Sequence, residues 1–596
     1  MTDPRIAPPS ARQLLNQAVE LHSRGDLAQA KALYQQLLEQ QPQHPDALHL
    51  LGVIATQNQE HQLAVDLIGR AIALRPDQPA YHYNLAIALQ GLDQLEAAVA
   101  SYDRALALQP DYADAWHYRG TVLQKLRRWA DCVASLDRFI SYSPSNANAH
   151  FCKGDALREL GQLEAAVHSY KRALAIKPDY SQALVNLGVA YRGLRQFDAA
   201  LASFERALQI NPDFVEAHCN RGLALQDLRQ SDAALKCFDK ALEINPDFAE
   251  GYVNRGVTLM ARKQLSDAIA DFDRAIAIEP ELAAAYENKA FTLLIGGQFA
   301  NGWHAMEWRW KRNEARSRGL STSKPLFKPN TTKKRLLVWA EQGVGDEIMF
   351  GSLLPEARRL CTKLLVKVDA RLIPLFARSF ENMEFFHRTA HVSEDAYDEH
   401  IPMGSLCQYL RPNEQSFKNA SKVQLVADQA RSSAIRETLG VRSGQKLCGI
   451  SWRSKAEKSG ADRSVSLASL AAALSLPHHR LVNLQYGDTK DEITQVGRQL
   501  GIDVLSCEDV DNFKDIDGLA SLIQACDVVV SVSNVTVHLA GALGKDVRVL
   551  VPHMSNWRWM LDRSDSPWYA SVRLYRQAAF DDWTGVFGQV RADLLG

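Results

Sequence analysis

Proline recurs through the first half of this 596-residue chain with a spacing of 34 residues. The prolines that keep this spacing are Pro42, Pro76, Pro110, Pro144, Pro178, Pro212, Pro246 and Pro280. A fixed period of this length indicates a repeat protein built from helical hairpins. One hairpin cannot bury its own apolar face, so neighbouring hairpins must stack to form a continuous core. The spacing therefore predicts an all-α first half.

Two further registers keep the same period. Small residues mark positions where two helices must approach closely: Gly52, Gly120, Gly154, Gly188, Gly222 and Gly256. Aromatic residues form the second register: Tyr102, Tyr170, Phe204, Phe238 and Phe272. This pattern resembles tetratricopeptide repeats and predicts a superhelix over residues 1–311, with eight full repeats from Ala11 to Glu281. The ninth contains "GWHAMEWRWK", which predicts a cap that packs against the next domain.

One asparagine register lies on the predicted first helix of each hairpin, which lines the concave face. Its members are Asn84, Asn186, Asn220, Asn254 and Asn288. A carboxamide offers both a donor and an acceptor, so a row of them suits an extended peptide backbone. The row resembles the asparagine ladder of O-GlcNAc transferases, which implies a protein or peptide acceptor in the repeat groove. Asparagine is also common at this position of tetratricopeptide repeats in general, so a packing role is the alternative.

The periodicity stops after residue 311, and residues 312–334 form a polar, basic segment that we interpret as a linker. Short apolar runs then alternate with amphipathic segments, which predicts parallel sheets with helices on both faces. The expected strands are Leu336–Trp339, Leu364–Val368, Leu447–Trp452, Leu481–Leu484, Val528–Val532 and Val547–Val551. A polar interval divides the region into two domains, at 335–430 and at 431–596. A cleft between two such sheets is where α/β folds bind ligands.

Composition excludes several classes of protein. A formal net charge of -1 with 23% charged residues argues against nucleic-acid binding, which needs a basic surface. The N-terminal residues have no apolar signal-peptide core, and no apolar stretch is long enough to span a membrane. The nine cysteines show no metal-ligand spacing. We therefore expect a reduced, cytoplasmic protein with no metal site and no cofactor, and homo-oligomerisation is left open.

The segment "RLLVWAEQGVGDEIMF" places a glycine turn between a strand and a helix. Gly343 and Gly345 match the first two positions of a dinucleotide-binding fingerprint, but Ile348 replaces the third glycine. A phosphate at this helix start would face Asp346 and Glu347, and like charges at such range cost about 1–4 kcal/mol each. The helix dipole favours an anion by only about 0.3–1 kcal/mol, which these carboxylates already gain. Phosphate is therefore excluded from this turn.

The segment "DVVVSVSNVTVHLAGALGK" forms a second strand–helix junction with no acidic residue between Asp527 and Asp546. Exposed backbone N–H groups and polar side chains at such a helix start suit an anion. The residues that supply them are Ser533, Asn534, Thr536 and His538. If one cleft contains both junctions, the phosphate binds at 533–538 and the carboxylate of Asp346 faces it as a base.

From about Lys333 to the end, these two junctions resemble glycosyltransferases of the two-Rossmann-domain (GT-B) type, above all the bacterial heptosyltransferases. The resemblance implies that Gly345-Asp346 carries the catalytic base and that His538 belongs to the donor-binding turn. It departs at Ser533-Asn534-Val535, where that family has Asp-Thr-Gly. Repeats followed by a transferase domain are similar to the layout of O-GlcNAc transferases.

Four further residues follow predicted strands. Arg453 and Arg463 would neutralise the departing phosphate, with a mobile surface loop as the alternative. Gln485 offers a donor and an acceptor to a base edge, and Tyr486 offers a stacking face, although both residue types are common on surfaces.

The pairs Asp509/Asp511 and Asp515/Asp517 imitate a metal site, but they precede a helix, where capping explains them.

The sequence thus predicts an inverting, metal-independent glycosyltransferase that uses a nucleotide sugar, with Asp346 as general base for the acceptor hydroxyl. The acceptor is expected to be a protein held by the repeats. Two alternatives stay open. One is a non-catalytic repeat scaffold with a degenerate transferase domain, and the other is a transferase that acts on a lipid-linked glycan.

Overall fold

A computed structural model of the chain describes residues 10–311, 319–329, 333–420, 425–454 and 460–595. The predicted linker at 312–334 therefore lies partly outside the described residues, at 312–318 and 330–332. The chain forms two compact units, divided between Pro246 and Asp247. This division gives the last two helical hairpins to the same unit as the α/β part. The predicted domain limits at 311, 335 and 430 stay predictions.

The first unit is a stack of helical hairpins, α1 to α14. Their bounds are Ala11–Ser23, Leu27–Gln40, Pro45–Gln57, His61–Leu74, Pro79–Gly91, Leu95–Leu108, Ala113–Lys125, Trp129–Tyr142, Ala147–Glu159, Leu163–Ile176, Ser181–Gly193, Phe197–Ile210, Val215–Asp227 and Ser231–Ile244. The 34-residue period is thus one hairpin, and the all-α prediction for this region is confirmed.

The glycine and aromatic registers meet within each hairpin. A Cβ atom added at Gly188 would lie 2.5 Å from Cε1 of Phe204, and one at Gly222 would lie 2.7 Å from Cε1 of Phe238. Both rings are fully buried. Because a side chain at the glycine would occupy the space of the ring, the two registers depend on each other, and the predicted close helix approach is confirmed.

The second unit begins with two more hairpins and a short 3-10 helix. They comprise α15 (Ala249–Ala261), α16 (Leu265–Ile278), α17 (Ala283–Ile295), α18 (Phe299–Met306) and the 3-10 helix Glu307–Lys311. In α18 the indole of Trp303 donates to the carbonyl of Arg411 at 2.8 Å and meets the ring of Trp557 edge-on at 5.3 Å. The predicted cap therefore packs against the α/β part.

The first sheet has four parallel strands in the order β3-β2-β1-β4. They are β1 (Arg335–Trp339), β2 (Lys363–Val368), β3 (Glu384–His387) and β4 (Glu399–Pro402). The helices of this part are α19 (Val344–Gly351), α20 (Leu354–Arg359), α21 (Ile373–Ser379), α22 (Cys407–Leu410) and α23 (Glu414–Lys418). The central strands are largely apolar because helices cover both faces of the sheet.

The second sheet has six parallel strands in the order β10-β9-β8-β5-β6-β7. They are β5 (Lys446–Ser451), β6 (His479–Asn483), β7 (Val504–Leu505), β8 (Val528–Val532), β9 (Asp546–Val551) and β10 (Val572–Arg576). The helices are α24 (Gln429–Thr438), α25 (Gly460–Arg463), α26 (Leu467–Leu474), α27 (Lys490–Leu500), α28 (Ile516–Ala525), α29 (Val535–Ala542) and α30 (Thr584–Leu595).

The C-terminal helix α30 stays with the second sheet. Its Val586 and Val590 are buried in the apolar cluster formed by β5, β8 and α26. Within the part of the chain that the structure describes, no helix is both long enough and apolar enough to cross a bilayer.

Candidate functional site

The two strand–helix junctions singled out in the sequence lie side by side. Helix α19 follows β1 and has Gly343 as its N-cap, and helix α29 follows β8 and has Asn534 as its N-cap. A Cβ atom added at Gly345 would lie 3.3 Å from Cδ2 of His538 and 3.7 Å from Cα of Val535. Glycine at 345 therefore lets the two helix starts approach, and it brings the ends of both sheets to one cleft.

A cavity of about 400 Å³ opens at this junction. Its lining combines both helix starts with loops from the second sheet: Val344, Gly345, Asp346, Arg371, Ser454, Arg463, Tyr486, Asn512, Phe513, Ile516, Ser533, Asn534, Val535, His538, Asn556 and Arg558. The sequence-predicted residues Asp346, Gly345, Arg463, Tyr486, Ser533, Asn534 and His538 thus share one cavity.

Asp346 forms an ion pair with Arg558. The guanidinium Nε lies 2.8 Å from Oδ1 of the carboxylate, and a terminal nitrogen contacts the same oxygen. The side chain of Asp346 is 19% exposed and that of Arg558 is 17% exposed, so both reach the cavity without being open to bulk solvent. The guanidinium also lies over the ring of Trp557, 4.4 Å from its centroid. The carboxylate of Asp346 is therefore already paired with a cation in the protein by itself.

Two more arginines line the cavity. Burial, helped by the nearby positive charge of Arg558, lowers the pKa of Arg463 below its ordinary value. An anion placed beside Arg463 would offset that cost. Arg371 is held by Asp369, whose Oδ1 accepts from Nε at 2.8 Å, and by the carbonyl of Phe513 at 2.9 Å. The side chain of Arg371 is therefore held in place at the edge of the cavity, while Arg463 is suited to bind a ligand.

His538 is buried beneath the junction as a neutral ring. Its Nδ1 lies 3.2 Å from the hydroxyl of Tyr569, and the ring stacks on Trp559 with 5.4 Å between centroids. Burial, reinforced by the positive charges of Arg558 and Arg463, lowers the pKa of His538 to about 3. At neutral pH the ring supports the helix start as an uncharged group.

This shifted pKa predicts an acid-sensitive fold. Between the ordinary pKa of 6.5 and about 3, the unfolded chain binds a proton at His538 that the folded chain does not. Stability therefore falls as pH falls through this window, by about 2 kcal/mol at pH 5 for this group. Urea unfolding at pH 7.5 and pH 5.0 should show that His538→Gln loses less stability on acidification than the unmodified chain. Equal losses in the two proteins would contradict this assignment.

Asn534 serves the framework of the site. Its Oδ1 accepts from the backbone N–H of Thr536 at 3.0 Å and from the hydroxyl of Ser531 at 3.2 Å. Its Nδ2 donates to Oγ of Ser451 at 2.7 Å and to the carbonyl of Arg453 at 3.0 Å. The carboxamide thus caps α29 and ties it to the loop after β5.

The two hydroxyls of the predicted donor turn differ. Oγ of Ser533 accepts from the indole N–H of Trp559 at 2.7 Å, which leaves its proton directed to another acceptor. Thr536 is fully buried, and its Oγ1 has no hydrogen-bond partner among the described residues. Ser533 lines the cavity, so it is the hydroxyl with access to a ligand.

Gln485 and Arg453 form the support of the neighbouring loop. Oε1 of Gln485 accepts from the hydroxyl of Ser451 and the backbone N–H groups of Trp452 and Arg453, at 3.0, 2.9 and 2.7 Å. The guanidinium of Arg453 pairs with Glu492 at 3.3 Å, on the side of helix α27. The expected base contact of Gln485 and phosphate contact of Arg453 stay predictions, and both side chains are engaged elsewhere.

Asn512 provides a polar group that the sequence did not suggest. Its Nδ2 donates to the carbonyls of Asn483 and Gln485, each at 3.2 Å, which fixes the orientation of the carboxamide. Its Oδ1 is buried and has no hydrogen-bond partner in the described structure. Tyr486 and Phe513 flank it, with 6.3 Å between their ring centroids. This end of the cavity is lined by Asn512 and by the two aromatic rings.

Glu347, the second carboxylate of the first junction, faces away from the cavity. It is 1% exposed, forms an ion pair with Arg388 and accepts from the backbone N–H of Asp369 at 2.8 Å. These contacts tie α19 to the ends of β2 and β3. Of the two carboxylates, Asp346 is therefore the one with access to a ligand.

Of the acidic pairs near helix α28, Asp515 has the capping role that its position suggests. Oδ1 of Asp515 accepts from the backbone N–H of Gly518 at 2.7 Å, and the same residue pairs with Arg431 at 2.6 Å. Among the residues that the structure describes, no group of three His, Cys, Asp or Glu side chains is arranged to hold a metal ion.

The predicted ladder asparagines lie on the first helix of each hairpin and are half-buried: Asn84, Asn186, Asn220, Asn254 and Asn288. Asn220 and Asn288 donate to the carbonyl four residues earlier, at 2.8 and 2.9 Å. Asn186 donates to Asp155 at 2.7 Å, and Asn84 lies 2.8 Å from Nε2 of His49, so these two link neighbouring hairpins. Peptide binding by this row stays a prediction.

Sequence reasoning missed Arg558, Arg371 and Asn512. Arg558 lies in "NWRWMLDRSDSPWY", a segment rich in Trp and Arg. An arginine within an aromatic cluster was the available signal, since aromatic faces hold guanidinium groups in place. Asn512 follows an acidic segment that suggested only helix capping.

Models of the tetratricopeptide repeat match residues 11–79, 91–126, 154–194, 181–214, 215–248 and 237–270. The hairpins between residues 11 and 270 are tetratricopeptide repeats. Protein FlbA of Caulobacter vibrioides is 34% identical over 280 residues, which is 44% of this chain and 46% of FlbA. The chain thus spans less than half the length of that relative.

Solved structures of repeat proteins also resemble parts of the chain. A crystal structure of MamA is 25% identical, covers 28% of this chain and 97% of its own, and has a TM-score of 0.27. The C-terminal part of a repeat-containing protein from Cytophaga hutchinsonii is 14% identical, covers 40% and 97% of the two chains, and has a TM-score of 0.34.

Proposed function

We propose that residues 335–595 form a GT-B glycosyltransferase that moves a sugar from a nucleotide sugar to an acceptor hydroxyl. One observation carries this proposal. The carboxylate of Asp346 and the start of helix α29, which has no acidic residue in its first turn, line the same cavity. A base and an anion site face each other across that cavity, as transfer from a sugar phosphate requires.

The phosphate of the donor binds at the start of α29. The first turn of a helix leaves backbone N–H groups without intrahelical partners, and the helix dipole favours an anion there. Asn534 uses the N–H of Thr536, and the hydroxyl of Ser533 supplies a further donor. Arg463, whose burial is unfavourable without a counter-ion, neutralises the phosphate. This arrangement uses arginine instead of a metal ion.

Transfer then proceeds by displacement at the anomeric carbon. Asp346 accepts the proton of the acceptor hydroxyl as the new C–O bond forms, and the bond to the phosphate oxygen breaks on the opposite face. The configuration at that carbon inverts. The negative charge that develops on the leaving phosphate is stabilised by Arg463 and the helix start, both of which are in place before reaction.

The base of the nucleotide stacks on the aromatic surface formed by Tyr486 and Phe513, which both line the cavity. Asn512 lines the same end of the cavity, and its carboxamide is held by the carbonyls of Asn483 and Gln485. This interpretation places the base at one end of the cavity and the sugar beside Asp346.

The repeats supply the acceptor. Tetratricopeptide repeats present an extended concave surface that binds protein chains, and we assign to this surface the protein substrate of the transferase. A scaffold without catalysis is the alternative, and it predicts that the cavity binds no nucleotide.

Calorimetric titration with UDP, GDP, ADP and CMP tests the proposed donor site. We expect one nucleotide to bind and Arg463→Ala to weaken it at least tenfold, because a buried counter-ion to phosphate is lost. Arg498→Ala, on the exposed side of α27, is the matched control and should leave affinity unchanged. If none of the four binds at millimolar concentration, the transferase proposal is wrong and the scaffold function takes its place.

A further inference from the structure

Arg558 is the strongest unassigned feature of the cavity. It reaches Asp346 from a loop after β9 and contacts the carboxylate through two nitrogens, one of them at 2.8 Å. Because Oδ1 of Asp346 accepts from two guanidinium nitrogens, that oxygen is engaged with Arg558 and not with an acceptor hydroxyl. The pair therefore represents a resting state of the proposed enzyme.

The backbone of Arg558 is held in a turn from which its side chain reaches the cavity. Its N–H donates to Oδ1 of Asn556 at 3.0 Å, in a turn that also includes the N–H of Trp559 bonded to the carbonyl of Asn556 at 3.1 Å. The guanidinium lies over the ring of Trp557, 4.4 Å from its centroid. Arg558, Ser533 and Asn534 line the same cavity.

We propose that Arg558 binds the phosphate of the donor and, in doing so, releases Asp346 to act as the base. This inference rests on the proposed function of the same cavity. A phosphate presents more charge and more acceptor oxygens than one carboxylate, and it forms bidentate pairs with arginine. The exchange makes the base competent only in the presence of the donor.

The exchange has a consequence for affinity. In the free protein, Asp346 competes with phosphate for Arg558, so removing the carboxylate should strengthen phosphate binding. Removing the charge of Asp346 would also strengthen phosphate binding if the carboxylate did no more than repel the phosphate. This result alone therefore does not separate the exchange from simple repulsion. The effect of Arg558 must therefore be measured where Asp346 is already neutral.

A double-variant titration provides that measurement. The probes are inorganic pyrophosphate and whichever of UDP, GDP, ADP and CMP binds most tightly. We expect Asp346→Asn to tighten binding about 3- to 10-fold. Adding Arg558→Gln to Asp346→Asn should then weaken binding at least tenfold, because Arg558 contacts phosphate directly. Arg558→Lys in the same background should lose less, since it keeps the charge but not the fork of donors.

A loss of less than twofold for Arg558→Gln in the Asp346→Asn background would overturn the exchange. It would mean that Arg558 serves only to pair with Asp346. Circular dichroism and thermal unfolding of each variant verify that the fold is kept, and Arg558→Lys serves as the second variant if Arg558→Gln does not fold. If the unmodified chain binds no nucleotide, the proposed function itself fails, which is a different result from a failed exchange.

Discussion

Asp346→Asn is expected to slow sugar transfer about 10²- to 10⁴-fold, the range that a positioned general base contributes. The carboxamide keeps the shape of the side chain and can still accept from Arg558, but it cannot take a proton. Donor affinity should not weaken, because the substitution removes a negative charge from the cavity that we propose binds phosphate. Release of nucleotide from the sugar nucleotide, followed with and without added acceptor protein, measures the rate.

Glu347→Gln is the informative comparison for that experiment. Glu347 is buried and paired with Arg388, so this variant should lose stability instead of catalytic competence. A transfer rate for Asp346→Asn within tenfold of the unmodified chain would contradict the assignment of the base. A larger rate loss for Glu347→Gln in a fully folded sample would move the role to that residue.

Trp303→Ala is expected to destabilise the second compact unit by about 3–5 kcal/mol, as for other large buried aromatic residues. Trp303 is 2% exposed, packs edge-on to Trp557 and donates to the carbonyl of Arg411 at 2.8 Å. The variant leaves a cavity and an unpaired carbonyl where α18 meets the α/β part. Urea unfolding followed by circular dichroism gives the free energy of unfolding.

Trp303→Phe separates packing from hydrogen bonding at the same position. It keeps an aromatic ring but loses the indole N–H, so the expected cost is about 1–2 kcal/mol. Equal destabilisation by Trp303→Ala and Trp303→Phe would show that the hydrogen bond, and not the packing of the ring, carries the effect. No measurable effect of either variant would contradict the role of α18 as a cap.

The central strands could be predicted closely because their sequences are largely apolar. The bounds expected for the strand Val528–Val532 are those observed, and all five of its residues are buried. Edge strands were not foreseen. The strand Glu384–His387 has charged or polar residues at both ends, and Val504–Leu505 has only two residues. Such segments become strands through pairing with a neighbour, which no local pattern records.

The helices of the first junction also differ from what the local sequence pattern indicates. The apolar period from Glu347 to Leu360 is that of one helix, but the chain forms two, Val344–Gly351 and Leu354–Arg359. Ser352 and Leu353 separate the two helices, and Pro355 fits only the first turn of a helix. The apolar period continues across the break because both helices cover the same sheet.

The sequence by itself determined the repeat architecture and the two helix starts that face each other. Each tetratricopeptide hairpin contacts mainly its neighbours, so a local period is enough to specify the stack. Only the tertiary structure decided which groups meet in the cavity. Arg558 is 212 residues from Asp346, and Gln485 turned out to hold the loop that begins at Trp452. Such pairings depend on where separate loops come together in space, and neither residue type nor spacing along the chain carries that information.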